Sequence, residues 1–158
     1  KKVITNQLHK APGIRFEVFT KDVKIETIDK NIRFMPISNE GFTKSMIESA
    51  GVITGAGFET PAEALYLGKK LICLPIRGQY EQLCNAAALE QLGVPVVNKM
   101  HATFFVDIAK WYDLPAPAPL KLTYSTYQLV QKVIEQAKAL SPSNQQSTEN
   151  ESLNSFAV

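Results

Sequence analysis

Between residues 51 and 98 the chain passes twice from a short apolar run into a stretch of helical periodicity. Gly51-Val52-Ile53-Thr54 reads as a strand, and a helical pattern over 61–67 follows, closed by Gly68. Leu71-Ile72-Cys73-Leu74-Pro75-Ile76 reads as a buried strand, with a second helical pattern over 81–92 closed by Gly93. A third run, 94–98, reads as another strand. Strand then helix at this spacing is the mark of βαβ units, which cross over right-handed and build a parallel sheet. The runs do not alternate with polar residues, which fits strands covered on both faces. The expected fold class is therefore α/β, a parallel sheet with helices on both faces.

The flanks extend the pattern. Residues 16–20 and 32–37 read as strands, and 42–50 as a helix with Phe42, Met46 and Ile47 on one side. Residues 103–112 read as a further helix. At the start, Ile4 and Leu8 stand four apart, and Pro12-Gly13 ends what reads as an amphipathic helix. With no initiator Met and no signal peptide, the sequence is expected to begin inside a longer protein. Three prolines (Pro115, Pro117, Pro119) make 113–121 a stiff extended connector. It leads to a helix over 124–140. Residues 141–158, rich in Ser, Asn, Gln and Glu, are expected to be a disordered tail after a domain spanning 1–140.

At 158 residues the chain is long enough to bury a core. A net charge of +2, with no basic run carrying interleaved aromatics, points away from nucleic acid. No apolar stretch approaches the roughly 20 residues that span a bilayer. Cys73 and Cys84 both sit in apolar patterns and read as core thiols in a reducing compartment. His9 and His101 lack partners at metal-ligand spacing, so neither a metal nor a cofactor is expected.

Two polar constellations follow successive strands. The first is Gly55-Ala56-Gly57-Phe58-Glu59-Thr60-Pro61-Ala62-Glu63. Two glycines one residue apart allow a tight turn and close approach of another group to the backbone. A helix opens at once, and its first N–H groups and positive dipole end favour an anion such as a phosphate. A purely structural reading is also open. Thr60 fits an N-cap, Pro61 the first helical position and Glu63 a capping-box carboxylate.

The second constellation is Arg77-Gly78-Gln79-Tyr80-Glu81-Gln82-Leu83-Cys84-Asn85. With a helix starting near Tyr80 or Glu81, the spacing brings Glu81, Gln82 and Asn85 to one edge of its first turns. A carboxylate and two amides suit sugar hydroxyls, and equally suit a solvated helix start. In an open parallel sheet both loops lie at the carboxyl edge, where ligands bind. One ligand with phosphate at one end and hydroxyls at the other would meet both.

The run from Gly51 to Lys70, followed by Leu74 to Ala86, resembles the C-terminal, donor-binding domain of GT-B glycosyltransferases. It is similar to the peptidoglycan N-acetylglucosaminyltransferase and the UDP-glycosyltransferases. The resemblance is specific over about 51–93 and looser over 14–50 and 94–140. It implies a Rossmann-like domain, one half of a GT-B fold. It implies that Glu63 accepts from both ribose hydroxyls, as a carboxylate can. It places the diphosphate on the turn Gly55, Gly57, Phe58, Glu59 and Thr60, with Thr60 donating to phosphate. It sets Glu81, Gln82 and Asn85 near the donor sugar. Arg77 beside them suits either added positive charge near the diphosphate or a solvated loop residue. It points loosely to Phe34, Met35, Pro36 and Ile37 as backbone contacts of the base. Many UDP-glycosyltransferases carry His where Gly55 stands and Asn where Glu59 stands. These departures favour the bacterial hexosyltransferase side.

The implied reaction is inverting and metal-independent, and no Asp-x-Asp motif is present. An acceptor hydroxyl attacks the anomeric carbon while helix N-terminal donors stabilise the leaving diphosphate. The catalytic base belongs to an acceptor-binding N-terminal domain, so no catalytic residue is expected in this chain. The implied partners are a UDP-sugar donor and that second domain. The implied location is the cytoplasm, with peripheral membrane association through the other domain. A nucleotide-sugar 2-epimerase domain and a non-catalytic docking module are the alternatives.

Overall fold

The computed structural model describes residues 2–121 and 125–140. They fall into two compact units, one ending at Leu120 and the other starting at Lys121. The first unit runs α1 (Lys2–His9), β1 (Phe16–Phe19), β2 (Thr27–Asp29), β3 (Ile32–Met35), α2 (Asn39–Glu48), β4 (Gly51–Thr54), α3 (Glu59–Tyr66), β5 (Lys70–Cys73), α4 (Tyr80–Gln91) and α5 (Phe104–Asp113). The second unit carries α6 (Thr126–Ala139). The expected tail over 141–158 and the expected helix start at Tyr124 lie outside the described residues. No helix among the described residues is long and apolar enough to cross a membrane.

The strands form two hydrogen-bonded sets, β1-β3-β2 and β4-β5, and their pairing is mainly parallel. β1 pairs with β3, Phe16 opposite Ile32, and β4 pairs with β5, Gly51 opposite Lys70. The sequence reading of 51–54 as a strand matches β4 residue for residue. The strand expected over 94–98 is reduced to a single parallel bridge between Cys73 and Val96. Pro95 has no N–H to give to a longer ladder, although its carbonyl accepts from Cys73 N at 3.0 Å. β2 was not expected. It runs antiparallel to β3 through a two-residue turn, Lys30-Asn31, with Lys30 at φ 54°. All three β2 residues are exposed, so no buried apolar pattern marks it in the sequence.

Alternation along β4 and β5 sends neighbouring residues to opposite faces. Val52, Leu71 and Cys73 join Met46 of α2, Ala64 of α3, and Ala86 and Leu89 of α4 in one core. Ile53 and Ile72 face the other way and join Ile32, Leu8 of α1, and Phe104, Ile108 and Trp111 of α5 in a second core. Helices therefore cover both faces, and the fold is α/β and Rossmann-like. Fully burying residues such as Ile32, Ile72, Phe104 and Ile108 contributes roughly 1.5–3 kcal/mol each relative to exposure.

Local chemistry sets the element ends. α2 starts at Asn39, ahead of the expected 42, because Ser38 Oγ accepts from Gly41 N at 3.1 Å. Lys69 Nζ donates to the carbonyls of Ile47 and Ser49 and so sits at the negative end of α2. Gly68 and Gly93 follow α3 and α4 at φ 65° and 78°, the left-handed closure the sequence predicts. Asn31 Nδ2 donates to the carbonyls of Leu8, Ala11 and Ile14, tying the end of α1 to the hairpin. The proline connector folds back on α3, with Leu120 N donating to Leu65 O at 2.9 Å.

One expectation about the core is corrected. Cys73 is buried, and burial pushes its thiol up to about 11. Cys84 is exposed on α4 and is not a core thiol. Its apolar neighbours in sequence misled the reading, because Leu83 is itself exposed and the helix turns Ala86 and Leu89 inward.

Candidate functional site

β4 ends at Thr54 and α3 begins at Glu59, so Gly55 to Phe58 form the whole turn between them. An open cavity of about 470 Å3 lies over this turn. It is lined by Thr54, Gly55, Gly57, Phe58, Glu59, Thr60, Pro61 and Gln82. Because β4 and β5 run parallel, the loops after both strands meet at one edge of the sheet. A second depression of similar size lies on α2, against Asn39, Thr43 and Ile47. It is formed by the side chains of one helix and offers no converging loops.

The structural alternative for Thr60 and Glu63 does not hold. α3 starts before Thr60, with Phe58 in the capping position at helical φ −81° and ψ −50°. No side chain caps this helix. Thr60 and Pro61 are inside its first turn, and Glu63 stands a full turn in. Helix geometry gives the N–H groups of Glu59 and Thr60 no acceptor four residues back in the helix. Pro61 has no N–H, and Ala62 N already reaches Phe58 O at 3.4 Å. The free donors are thus grouped at Phe58 to Thr60, beside the cavity, with the Thr60 hydroxyl not used as a cap.

The two glycines of the turn differ. A Cβ on Gly55 would come 3.2 Å from Gln82 Oε1. A Cβ on Gly57 would meet nothing within 4 Å, and its φ is not in the left-handed region. Protein packing therefore explains glycine at 55 and leaves glycine at 57 unexplained by the fold itself. A bare backbone there gives a ligand room to approach.

The β5–α4 loop is fastened to this turn. Gln82 Oε1 accepts from Ala56 N at 3.2 Å and from Ile76 N at 3.0 Å. Gln82 Nε2 donates to Gln79 Oε1 at 2.6 Å, and Asn85 Nδ2 donates to Ala56 O at 3.1 Å. Gly78 takes φ 81° within the loop, a conformation few other residues tolerate. At the start of α4 the Tyr80 phenol is held above its ordinary value, chiefly by a hydrogen bond with Cys84.

The sequence-predicted residues divide accordingly. Gly55, Gly57, Phe58, Glu59, Thr60 and Gln82 come together around the cavity. Glu63 is exposed on α3, one turn beyond Thr60, and is not part of the lining. Arg77 and Glu81 are exposed on the neighbouring loop and helix start, also outside the lining. Asn85 is half-buried beneath the turn. Met35 ends β3, in the other hydrogen-bonded set, Pro36 follows it, and neither lines the cavity. Sequence reasoning passed over Ala56, which is fully buried and held on both of its backbone polar groups. The signal was its small size between two glycines.

Glu59 brings a negative charge to the first turn of α3, where it interacts favourably with the helix dipole. Such a charge opposes a second anion by about 1 kcal/mol at roughly 4 Å in water, while each backbone hydrogen bond to a charged group contributes roughly 1.5–3 kcal/mol. Several donors outweigh one exposed carboxylate.

Comparison with curated proteins and with solved structures finds no match. A family profile described as Glycosyl transferase family 1 matches residues 2–110, from α1 through most of α5. That span holds both parallel strand pairs, the uncapped start of α3 and the fastened loop after β5, and the chain belongs to glycosyl transferase family 1.

Proposed function

We propose that this domain binds the nucleotide-sugar donor, a UDP-sugar, of an inverting and metal-independent hexosyltransferase. The supporting observation is the uncapped start of α3, with Phe58, Glu59 and Thr60 presenting donors beside an open cavity over Gly57. The diphosphate rests on this turn. Glu63 takes the ribose hydroxyls one helical turn on, and Arg77 and Glu81 face the sugar end. Met35 and Pro36 meet the base. The sequence resemblance over about 51–93 to the peptidoglycan N-acetylglucosaminyltransferase supports these roles.

In the reaction an acceptor hydroxyl attacks the anomeric carbon opposite the diphosphate. The new C–O bond forms as the bond to the phosphate oxygen breaks, and its electron pair leaves with UDP. A base in the acceptor-binding domain takes the hydroxyl proton. Donors fixed at α3 stabilise the charge that gathers on the diphosphate, with no reorganisation at the moment of transfer. The chain's share is donor binding, so alone it transfers no sugar.

Calorimetry of the chain with UDP, with and without EDTA, tests this reading. UDP is expected to bind equally in both, and Glu63→Gln to weaken UDP while leaving inorganic pyrophosphate unaffected. No heat with UDP would overturn the donor reading and favour a docking module. Loss of binding in EDTA would overturn metal independence.

A further inference from the structure

We infer that Gln82 and Asn85 are positioning residues for the diphosphate turn, acting through the backbone of Ala56. This inference rests on the donor reading above. Ala56 lies between Gly55 and Gly57, and its side chain is fully buried. Gln82 Oε1 accepts from its N–H at 3.2 Å, and Asn85 Nδ2 donates to its carbonyl at 3.1 Å. Two successive peptide planes are thereby fixed. A trans peptide is planar, with its C=O and N–H pointing in opposite directions. With the Ala56 carbonyl drawn towards Asn85, the N–H of Gly57 is directed away from α4. Glycine on either side otherwise makes peptide flips easy, since glycine populates both signs of φ. The clamp selects one of these states before any ligand arrives, and a preformed donor set has no ordering cost on binding.

The amide groups are also largely engaged by the protein itself. Both lone-pair directions of Gln82 Oε1 are occupied, by Ala56 N and by Ile76 N at 3.0 Å. Gln82 Nε2 gives one N–H to Gln79 Oε1, and its second N–H is the one donor of this side chain left for a ligand. A sugar hydroxyl could donate to this oxygen only by displacing a backbone N–H. Asn85 does not line the cavity. The bond from Gln82 to Ile76 carries the same clamp into the β5–α4 loop, so the two ligand-facing loops are set by one side chain.

Calorimetry of the whole chain with UDP, UDP-N-acetylglucosamine and inorganic pyrophosphate tests the assignment, using Gln82→Leu and Asn85→Leu. Both variants are expected to weaken all three ligands by a similar factor, about tenfold, which is the scale of one lost hydrogen bond. Amide exchange at Ala56 and Gly57 is expected to quicken in the same variants, beyond any change in global stability. If UDP and pyrophosphate bind as in the wild type and only the increment due to N-acetylglucosamine is lost, the residues are sugar ligands and the inference fails. If all three bind unchanged, it fails as well. A wild-type chain that binds none of the three removes the donor reading itself, a different outcome from either. Asn85→Ala, a mild change in a helix, carries the test if a leucine variant does not fold.

Discussion

Trp111 of α5 lies across Gly51 at the start of β4, so close that a methyl group on Gly51 would stand 2.7 Å from Trp111 Cζ2. The same methyl would meet the carbonyl oxygen and Cβ of Lys70 at 2.8 Å. Gly51 does not take a left-handed φ, so crowding alone demands glycine here. Gly51→Ala is expected to destabilise the chain by roughly 1–3 kcal/mol, the usual cost of overpacking. Urea unfolding followed by Trp111 fluorescence checks this, through a lower midpoint at an unchanged slope. A midpoint equal to the wild type would mean that α5 does not pack on β4 as described.

Gly57 should behave in the opposite way. Nothing lies within 4 Å of a Cβ placed there. Gly57→Ala is therefore expected to leave stability unchanged or raise it by about 0.4–1 kcal/mol through the unfolded chain. The methyl would stand over the turn, and UDP binding is expected to fall about tenfold, or about 1.4 kcal/mol. Thermal melting and calorimetry on the same variant separate the two effects. Unchanged UDP affinity would show that no ligand approaches this backbone.

Glu59 supplies the one charge in the cavity lining, and it has the wrong sign for a diphosphate. Glu59→Gln is expected to tighten pyrophosphate binding by about two- to fivefold, equivalent to about 0.4–1 kcal/mol. The gain should shrink as salt is raised, because the site is exposed. Weaker binding in this variant would mean that Glu59 contacts the ligand directly.

The two thiols should differ sharply. A thiol reagent at pH 8 is expected to modify exposed Cys84 in the folded chain and to reach buried Cys73 only on unfolding. Burial raises Cys73 from 9.0 to about 11, so the folded state keeps a proton that the unfolded state releases. Stability is therefore full below pH 9 and falls as pH rises towards 11. Thermal melts from pH 8 to pH 11 should show this decline, and Cys73→Ala should flatten it. An equal decline in that variant would assign the effect to other groups.

Much of the candidate site was legible because its parts are local. The turn from Gly55 to Thr60 follows a strand whose four residues were read correctly, and six of the predicted positions do surround one cavity. The sequence pattern places the helix start two residues late, at Pro61, whereas α3 opens at Glu59. Proline fits anywhere in a first turn, because no N–H there has a helical partner. That small shift decides whether Thr60 and Glu63 are caps or free groups. Glu81 and Asn85 share a helix edge by spacing, yet Asn85 turns to Ala56 while Glu81 stays exposed.

By itself the sequence determined the strand and helix alternation, the glycine closures after α3 and α4, and the α/β class. Each of these follows from periodicity or backbone preference over a few neighbouring residues. The tertiary structure alone decided that Ala56 is held by residues 26 and 29 positions away, that β2 pairs antiparallel, and that Cys84 faces out. Such facts depend on which strand lies beside which. No local pattern records that pairing, because the hydrogen bonds that express it form only once distant segments have met.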